Sequence, residues 1–252
     1  MDNDKKIEYM RYDVRARSQL TSCTQSKKIL ETGSLSIPLI YRAPYIWYER
    51  CICRCIRPGH DVLELAAGTG LHTYIIAQRG ARVTASDISS NSLKVISQQI
   101  ENIYTTAADM ESLPFENNSF DIVTVAGSLS YGDPDLVDAE IKRVLRPDGA
   151  FLCVDSLNHN PVYKFNRWLQ YLRGSRTKST LLRMPTIRRI ESIIKGFKSA
   201  DIKYFGAVSY LTPFLANIIG QSNSAKISDA VDHVLHVRRS AFKFVLVARG
   251  LL

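Results

Sequence analysis

No stretch of the 252 residues reaches the roughly 20 continuous apolar residues that a helical membrane span needs. The opening run Met1-Asp2-Asn3-Asp4-Lys5-Lys6 also lacks the apolar core of a signal peptide. Cysteine is scarce and odd in number: Cys23, Cys51, Cys53, Cys55 and Cys153 do not make a disulfide framework. These absences point to a soluble protein of a reducing, cytoplasmic compartment. No metal is expected either. On a helix, Cys51-Ile52-Cys53-Arg54-Cys55 brings only Cys51 and Cys55 to one face, and no second Cys/His cluster completes four ligands. The plainer expectation is small buried side chains on the helix that precedes the first strand. Internal repeats and low-complexity segments are absent too.

Acids are nearly missing from one region. Between Pro161 and Ala200 ten Lys/Arg residues stand against the single Glu191, so this segment carries an excess equal to the whole net charge of +9. A positive field placed this unevenly suits an anionic partner: a phosphate, a carboxylated sugar, a lipid headgroup or a nucleic acid. It is equally compatible with a solvated face that aids solubility.

What is present is an alternation of short apolar runs and helical patterns. Residues 1–57 read as helical over Lys5–Ser18 and Ala43–Ile56, with Pro58-Gly59 as the break. Strands are expected at Asp61–Leu65, Arg82–Ile88, Ile103–Ala107, Phe120–Ala126 and Ala150–Asp155. Helices fall between them at Leu71–Arg79, Ser90–Glu101 and Asp133–Leu145, with Ser89 or Ser90 as an N-cap and a Pro147-Asp148-Gly149 turn after the last. This rhythm means βαβ units and a parallel sheet with helices on both faces. Beyond Asp155 it is interrupted. Pro161–Arg173 and Thr186–Ser199 read as helices, Phe165, Trp168, Leu169 and Leu172 forming one apolar face of the first. A strand at Ile202–Tyr210, helices near Pro213–Gly220 and Ser224–Val237, and a last strand at Phe242–Ala248 complete the chain. The expected organisation is one domain, 1–252: a helical N-terminal lid (1–57), a cofactor-binding core (58–156), a basic helical insert (157–200) and C-terminal strands and helices (201–252).

The chemistry is concentrated at the ends of the first three strands. Val62-Leu63-Glu64-Leu65-Ala66-Ala67-Gly68-Thr69-Gly70 is a strand, an acid and a glycine turn that opens a helix. A dinucleotide site would want a third glycine where Thr73 stands, and Glu64 would repel its pyrophosphate. A cofactor that is cationic and carries no phosphate reverses that logic. Asp87 ends the second strand, where a carboxylate accepts from ribose hydroxyls. Asp109 ends the third, placed to accept from an exocyclic adenine amine.

With Leu113-Pro114-Phe115, Ser119-Phe120-Asp121 and Leu145-Arg146-Pro147-Asp148-Gly149 in register behind them, residues 60–156 resemble the class I methyltransferase family. The nearest subgroup is that of the ubiquinone and menaquinone biosynthesis methyltransferases. Ala66 departs from the pattern, at its first glycine. The resemblance implies a Rossmann-like, seven-stranded, mostly parallel sheet with an antiparallel edge strand, assigned to Phe242–Ala248, and S-adenosyl-L-methionine as cofactor, with S-adenosyl-L-homocysteine as product. It implies Glu64 near the amino-acid end, Ala66, Gly68 and Gly70 at close backbone approach, and Asp87 on the ribose with Ile88 beside the adenine. Asp109 and Met110 meet the adenine edge and Ala126–Ser128 line the methionine side.

An oxygen acceptor needs a base at the carboxyl ends of strands four and five. His159 is the preferred candidate, with Asp155 and Tyr131 as further catalytic candidates; His72 could instead orient the cofactor carboxylate. Tyr9, Tyr12, Tyr41, Tyr45 and Tyr48 are read as packing within the lid. The expected reaction is O-methylation of an anionic small molecule or of a sugar on a surface glycan or lipid-linked precursor, with peripheral association to anionic membrane lipids. The alternatives are carbon methylation of a quinone or lipid, RNA methylation, and a non-catalytic cofactor-binding protein. RNA fits least, because Ala126-Gly127-Ser128-Leu129 is not the Asn/Asp-Pro-Pro-Tyr motif of base-amino methyltransferases.

Overall fold

A computed structural model describes residues 3–20, 30, 32–206, 220, 238 and 240–252. Cys23, the segment 207–210 and nearly all of the two helices expected within 213–237 lie outside the described residues. Among the described residues the first long helices are α1 (Asn3–Leu20) and α2 (Leu39–Cys55). The alternating core is β1 (Asp61–Leu65), α3 (Leu71–Ala77), β2 (Arg82–Asp87), α4 (Ser90–Gln99), β3 (Ile103–Ala107), β4 (Phe120–Ala126), α5 (Pro134–Val144) and β5 (Leu145–Ser156). Three helices follow, α6 (Pro161–Leu172), α7 (Lys178–Leu182) and α8 (Ile187–Ile194), and then β6 (Phe197–Phe205) and β7 (Lys243–Leu251).

The seven strands form one sheet in the order β3-β2-β1-β4-β5-β7-β6. β1 to β5 are parallel, and β7 runs antiparallel to both neighbours, one place in from the β6 edge. Period-two alternation splits the strands between two apolar layers. Leu63, Leu65, Val123, Val125, Phe244 and Leu246 pack with Val137 and Ile141 of α5 and Ile190 of α8. Val62, Ile122, Val245 and Val247 pack on the opposite face with Tyr48 and Ile52 of α2 and Ile76 of α3. Burial on both faces explains why these strands read as continuous apolar runs.

Local chemistry sets most helix starts. Ser89 accepts from Ser92 N at 3.2 Å and caps α4, and Asp133 caps α5 in front of Pro134. Three expectations need correction. α2 begins at Leu39, not Ala43, and carries Pro44 inside it. Pro147-Asp148-Gly149 is no free turn but lies within β5, where the register with β4 shifts from Phe120↔Leu145 to Ile122↔Ala150. The helix expected to reach Ser199 stops at Ile194, and β6 starts at Phe197 because pairing with β7 (Phe197↔Leu251) overrides the helical pattern. α6 buries no residue: Phe165, Trp168 and Leu172 are exposed, the first two rings stacked on each other at 5.8 Å. Of the clustered thiols, Cys51 is buried, Cys55 half-buried and Cys53 exposed, so the expected burial holds for one.

Candidate functional site

The strand order reverses between β1 and β4, and in open α/β sheets ligands bind outside the carboxyl ends of the strands at such a point. A cavity of about 350 Å³ lies there, within the range of small-molecule sites. Glu64, Ala66, Gly68 and His72 reach it from β1 and the turn into α3, Asp87 and Ile88 from β2, Asp109 and Met110 from β3, and Gly127, Ser128 and Tyr131 from β4. Every residue expected to face the cofactor therefore lines one cavity, except Gly70, which opens α3 behind it.

The glycine turn has left-handed backbone at Ala66 (φ 50°), Gly68 (φ 57°) and Gly70 (φ 92°). Ala66 thus holds, with a Cβ, a conformation that glycine adopts freely. Thr73, at the place of a third glycine, donates its hydroxyl to Glu64 Oε2 at 2.5 Å. Burial pushes the Glu64 carboxyl up to about 8, and nearby Asp87 adds to this while the Thr73 bond opposes it. Asp87 accepts from Gly68 N at 2.9 Å and Ser89 N at 2.8 Å, which pins the turn to β2. Burial raises its pKa above the ordinary value and the backbone donors pull it back. His72 is buried between Tyr45 (stacked, 6.1 Å) and Tyr48 (edge-on, 5.1 Å), and burial lowers it to about 4, so the ring is neutral. Its Nδ1 and the Ser128 Oγ are buried with no hydrogen-bond partner among the described residues. In a native structure such orphans mark groups that await a ligand or water.

α1 crosses the mouth. Lys5, Glu8, Tyr9 and Tyr12 line the cavity from above. Lys5 Nζ pairs with Asp109 Oδ2 at 2.7 Å and Glu111 Oε2 at 2.5 Å. Asp13 accepts from Ser89 Oγ and Asn91 Nδ2, both at 2.9 Å, tying the helix to the α4 rim. On the other side Glu8 accepts from Thr177 Oγ1 at 3.1 Å, and Asp4 from Ser179 N at 2.9 Å. The Tyr12 hydroxyl is hydrogen-bonded to that of Tyr131. The lid aromatics read as packing divide: Tyr48 is buried and Tyr41 meets Phe242, whereas Tyr9, Tyr12 and Tyr45 face the cavity. Lys5 and Glu8 were not anticipated, since nothing in a polar helical pattern reveals which face looks inward.

Of the three catalytic candidates only Tyr131 reaches this cavity. His159 is displaced from the expected role: its Nε2 accepts from Ile187 N at 3.0 Å, so that lone pair caps α8. Asp155 is buried and accepts from Leu129 N at 2.8 Å and Ser156 N at 2.6 Å, which fixes the β4 loop to β5. Tyr131 is half-buried, and desolvation raises its phenol well above the ordinary value, so it stands as a neutral hydroxyl.

Residues 63–153 match the family model described as a methyltransferase domain. The chain is 38% identical over 110 residues to a ubiquinone/menaquinone biosynthesis C-methyltransferase from Shewanella piezotolerans, covering 39% of this chain and 43% of that protein. It is 33% identical over 138 residues to a demethylmenaquinone methyltransferase from Corynebacterium kroppenstedtii, covering 54% of this chain and 56% of that one. The chain thus spans about half the length of the curated relatives it matches. Among solved structures, a chain from the complex between the Haloferax volcanii Trm112 methyltransferase activator and a methyltransferase superposes with TM-score 0.62 at 15% identity, covering 96% of this chain and 98% of that one. At that identity the likeness is one of fold.

Proposed function

We propose that this chain, whose residues 63–153 match a methyltransferase-domain family, is a class I S-adenosylmethionine-dependent methyltransferase that transfers a methyl group to a ring carbon of a phenol- or quinol-like small molecule. The observation that carries the reading is the division of the 350 Å³ cavity. The ends of β1, β2 and β3 present three carboxyl groups to it, Glu64, Asp87 and Asp109, while α1 and the loop after β4 present Tyr9, Tyr12 and Tyr131. The first set suits a cationic, phosphate-free cofactor: carboxylates for an ammonium and sulfonium, and acceptors for ribose hydroxyls and an adenine amine. The second suits a flat ring.

S-adenosylmethionine supplies a methyl group on a sulfonium whose thioether is already a good leaving group, so positioning dominates catalysis. With the cofactor bound, the acceptor carbon would provide the electron pair for the new C–C bond, the C–S pair would return to sulfur, and the ring proton would be lost to water once the methylated product leaves the cavity. Tyr131 and Tyr12, paired through their hydroxyls, hold the ring oxygen and fix which carbon faces the methyl. Glu64 and Asp87 hold the cofactor from below while α1 excludes water from above.

Likeness to the Shewanella C-methyltransferase of ubiquinone and menaquinone biosynthesis supports carbon methylation. The O-methylated glycan has less support, because the base expected for it, His159, caps α8. Residues 1–252 act as one domain in this reading. Among the described residues no helix is long and apolar enough to cross a membrane. A peripheral position on anionic lipid would suit a quinol-type acceptor, with exposed Phe165, Trp168 and Leu172 of α6 beside Lys164 and Arg173.

The test is calorimetric titration of S-adenosylmethionine and S-adenosylhomocysteine into the wild type and Asp87→Ala, followed by transfer of a labelled methyl group to quinols, phenolic acids, glycans and RNA. Saturable binding weakened at least about tenfold in the variant, with label on a ring carbon, is the expected result. Label on a sugar oxygen or on RNA would replace the acceptor class. Binding without transfer to any acceptor would make the chain a non-catalytic cofactor binder.

A further inference from the structure

Behind Gly127, which lines both spaces, lies a second, smaller chamber of about 20 Å³. Its walls include Ser130, Ser156, Asp155 and two arginines of the basic insert, Arg167 and Arg176. Among the described residues neither arginine has a carboxylate partner. Arg176 Nη1 donates to Tyr131 Oη at 3.2 Å. Arg167 donates to the Tyr163 hydroxyl and, at 3.4 Å, to Gln170 Oε1, while its buried Nε has no partner among the described residues. A third cation stands close by: the buried Lys243, with Nζ 3.4 Å from Ser156 Oγ and 4.8 Å from the Tyr45 ring centroid. The one carboxylate in the chamber wall, Asp155, already takes two backbone N–H groups.

Cations withdrawn from water and left unpaired are costly, and a fold keeps them where a ligand supplies the missing charge. Arg189 of the same insert, by contrast, lies 2.8 Å from Asp138. The chamber's volume just exceeds what a single water requires, which suits a flat carboxylate head better than a tetrahedral phosphate. Two guanidiniums offer the forked donors that a carboxylate accepts. Tyr131 joins the two spaces, touching Tyr12 on one side and Arg176 on the other.

We propose that this chamber binds the carboxylate of the methyl acceptor, so that the acceptor is an aromatic acid with its ring against Tyr12 and Tyr131 and its carboxylate between Arg167 and Arg176. This rests on the methyl-transfer reading above and narrows its acceptor to a ring that bears an acid. Arg167 and Arg176 set specificity, and no proton passes through them.

The test uses benzoate and its neutral isostere benzamide, titrated into the full chain saturated with S-adenosylhomocysteine at low salt. Benzoate should bind at least about tenfold more tightly than benzamide. Arg176→Gln and Arg167→Gln should each cut benzoate affinity about tenfold and leave benzamide and S-adenosylhomocysteine within about twofold. Unchanged S-adenosylhomocysteine affinity certifies each variant as folded, and Arg176→Lys, which keeps the charge and loses the fork, serves if a glutamine variant does not fold. Benzoate that binds no better than benzamide, benzoate affinity indifferent to all three substitutions, or inorganic phosphate binding more tightly than benzoate would overturn the proposal and leave the cofactor reading standing. Arginine-dependent benzoate binding to a protein that takes no S-adenosylhomocysteine would support the chamber and overturn the methyl-transfer reading.

Discussion

Lys5 and Asp109 lie 104 positions apart in sequence, yet their charged groups meet at 2.7 Å across the mouth of the cavity. Lys5 comes from the helix that covers the site and Asp109 from the strand end that meets the adenine edge in the proposed function. One carboxylate therefore serves both lid and pocket.

Lys5→Ala should loosen the lid more than the fold. The pair is half-buried, so its loss is expected to cost on the order of 1 kcal/mol, felt by α1 alone. Hydrogen exchange should show faster exchange across Asn3–Leu20 with the β4 and β5 amides unchanged, and S-adenosylhomocysteine should dissociate several-fold faster. An α1 exchange pattern identical to wild type would mean that the other rim contacts hold the helix without Lys5.

Cofactor binding should release a proton. With its pKa near 8, Glu64 is mostly protonated at pH 7 in the empty cavity. A cation brought next to it favours the carboxylate, so affinity should rise with pH from 7 toward 8 and flatten above. Calorimetry at pH 7 in two buffers of different ionisation enthalpy should report close to one proton released, and Glu64→Gln should abolish it. For the unliganded protein the sign is opposite: the raised carboxyl favours folding below its unfolded pKa near 4.5 and loses that contribution as pH rises through 8.

His72 gives the complementary profile. Its folded pKa, about 4, lies below the unfolded 6.5. Its contribution to stability is full above 6.5 and lost as pH falls through 4, at most about 3 kcal/mol for a wholly buried ring. Urea unfolding at pH 7 and pH 4.5 should show that loss, and His72→Gln should flatten it.

The glycine turn predicts opposite outcomes four residues apart. A Cβ at Gly70 would stand 3.0 Å from Ile96 Cγ1 and 3.2 Å from Ile100 Cδ1 in left-handed backbone, so Gly70→Ala should destabilise by about 1–3 kcal/mol. Ala66→Gly removes a Cβ from φ 50° and should be neutral within about 1 kcal/mol. Thermal unfolding of the two variants side by side distinguishes them.

The sequence by itself determined the sheet and the carboxyl-bearing rim of the cavity. Strand alternation, caps such as Ser89 and Asp133, and an acid at the end of each of β1, β2 and β3 are local features, governed by side-chain period and turn chemistry within a few residues. Where β7 enters the sheet, between β5 and β6, was decided by long-range pairing, which also cut short the helix expected to reach Ser199. Tertiary structure alone placed Lys5 on Asp109 and turned Tyr9 and Tyr12 inward. It also set His159 at a helix start and left Arg167 and Arg176 without a carboxylate partner among the described residues. Those outcomes depend on which groups distant in the chain arrive at one place, and a polar residue carries no local mark of the partner it will meet or lack.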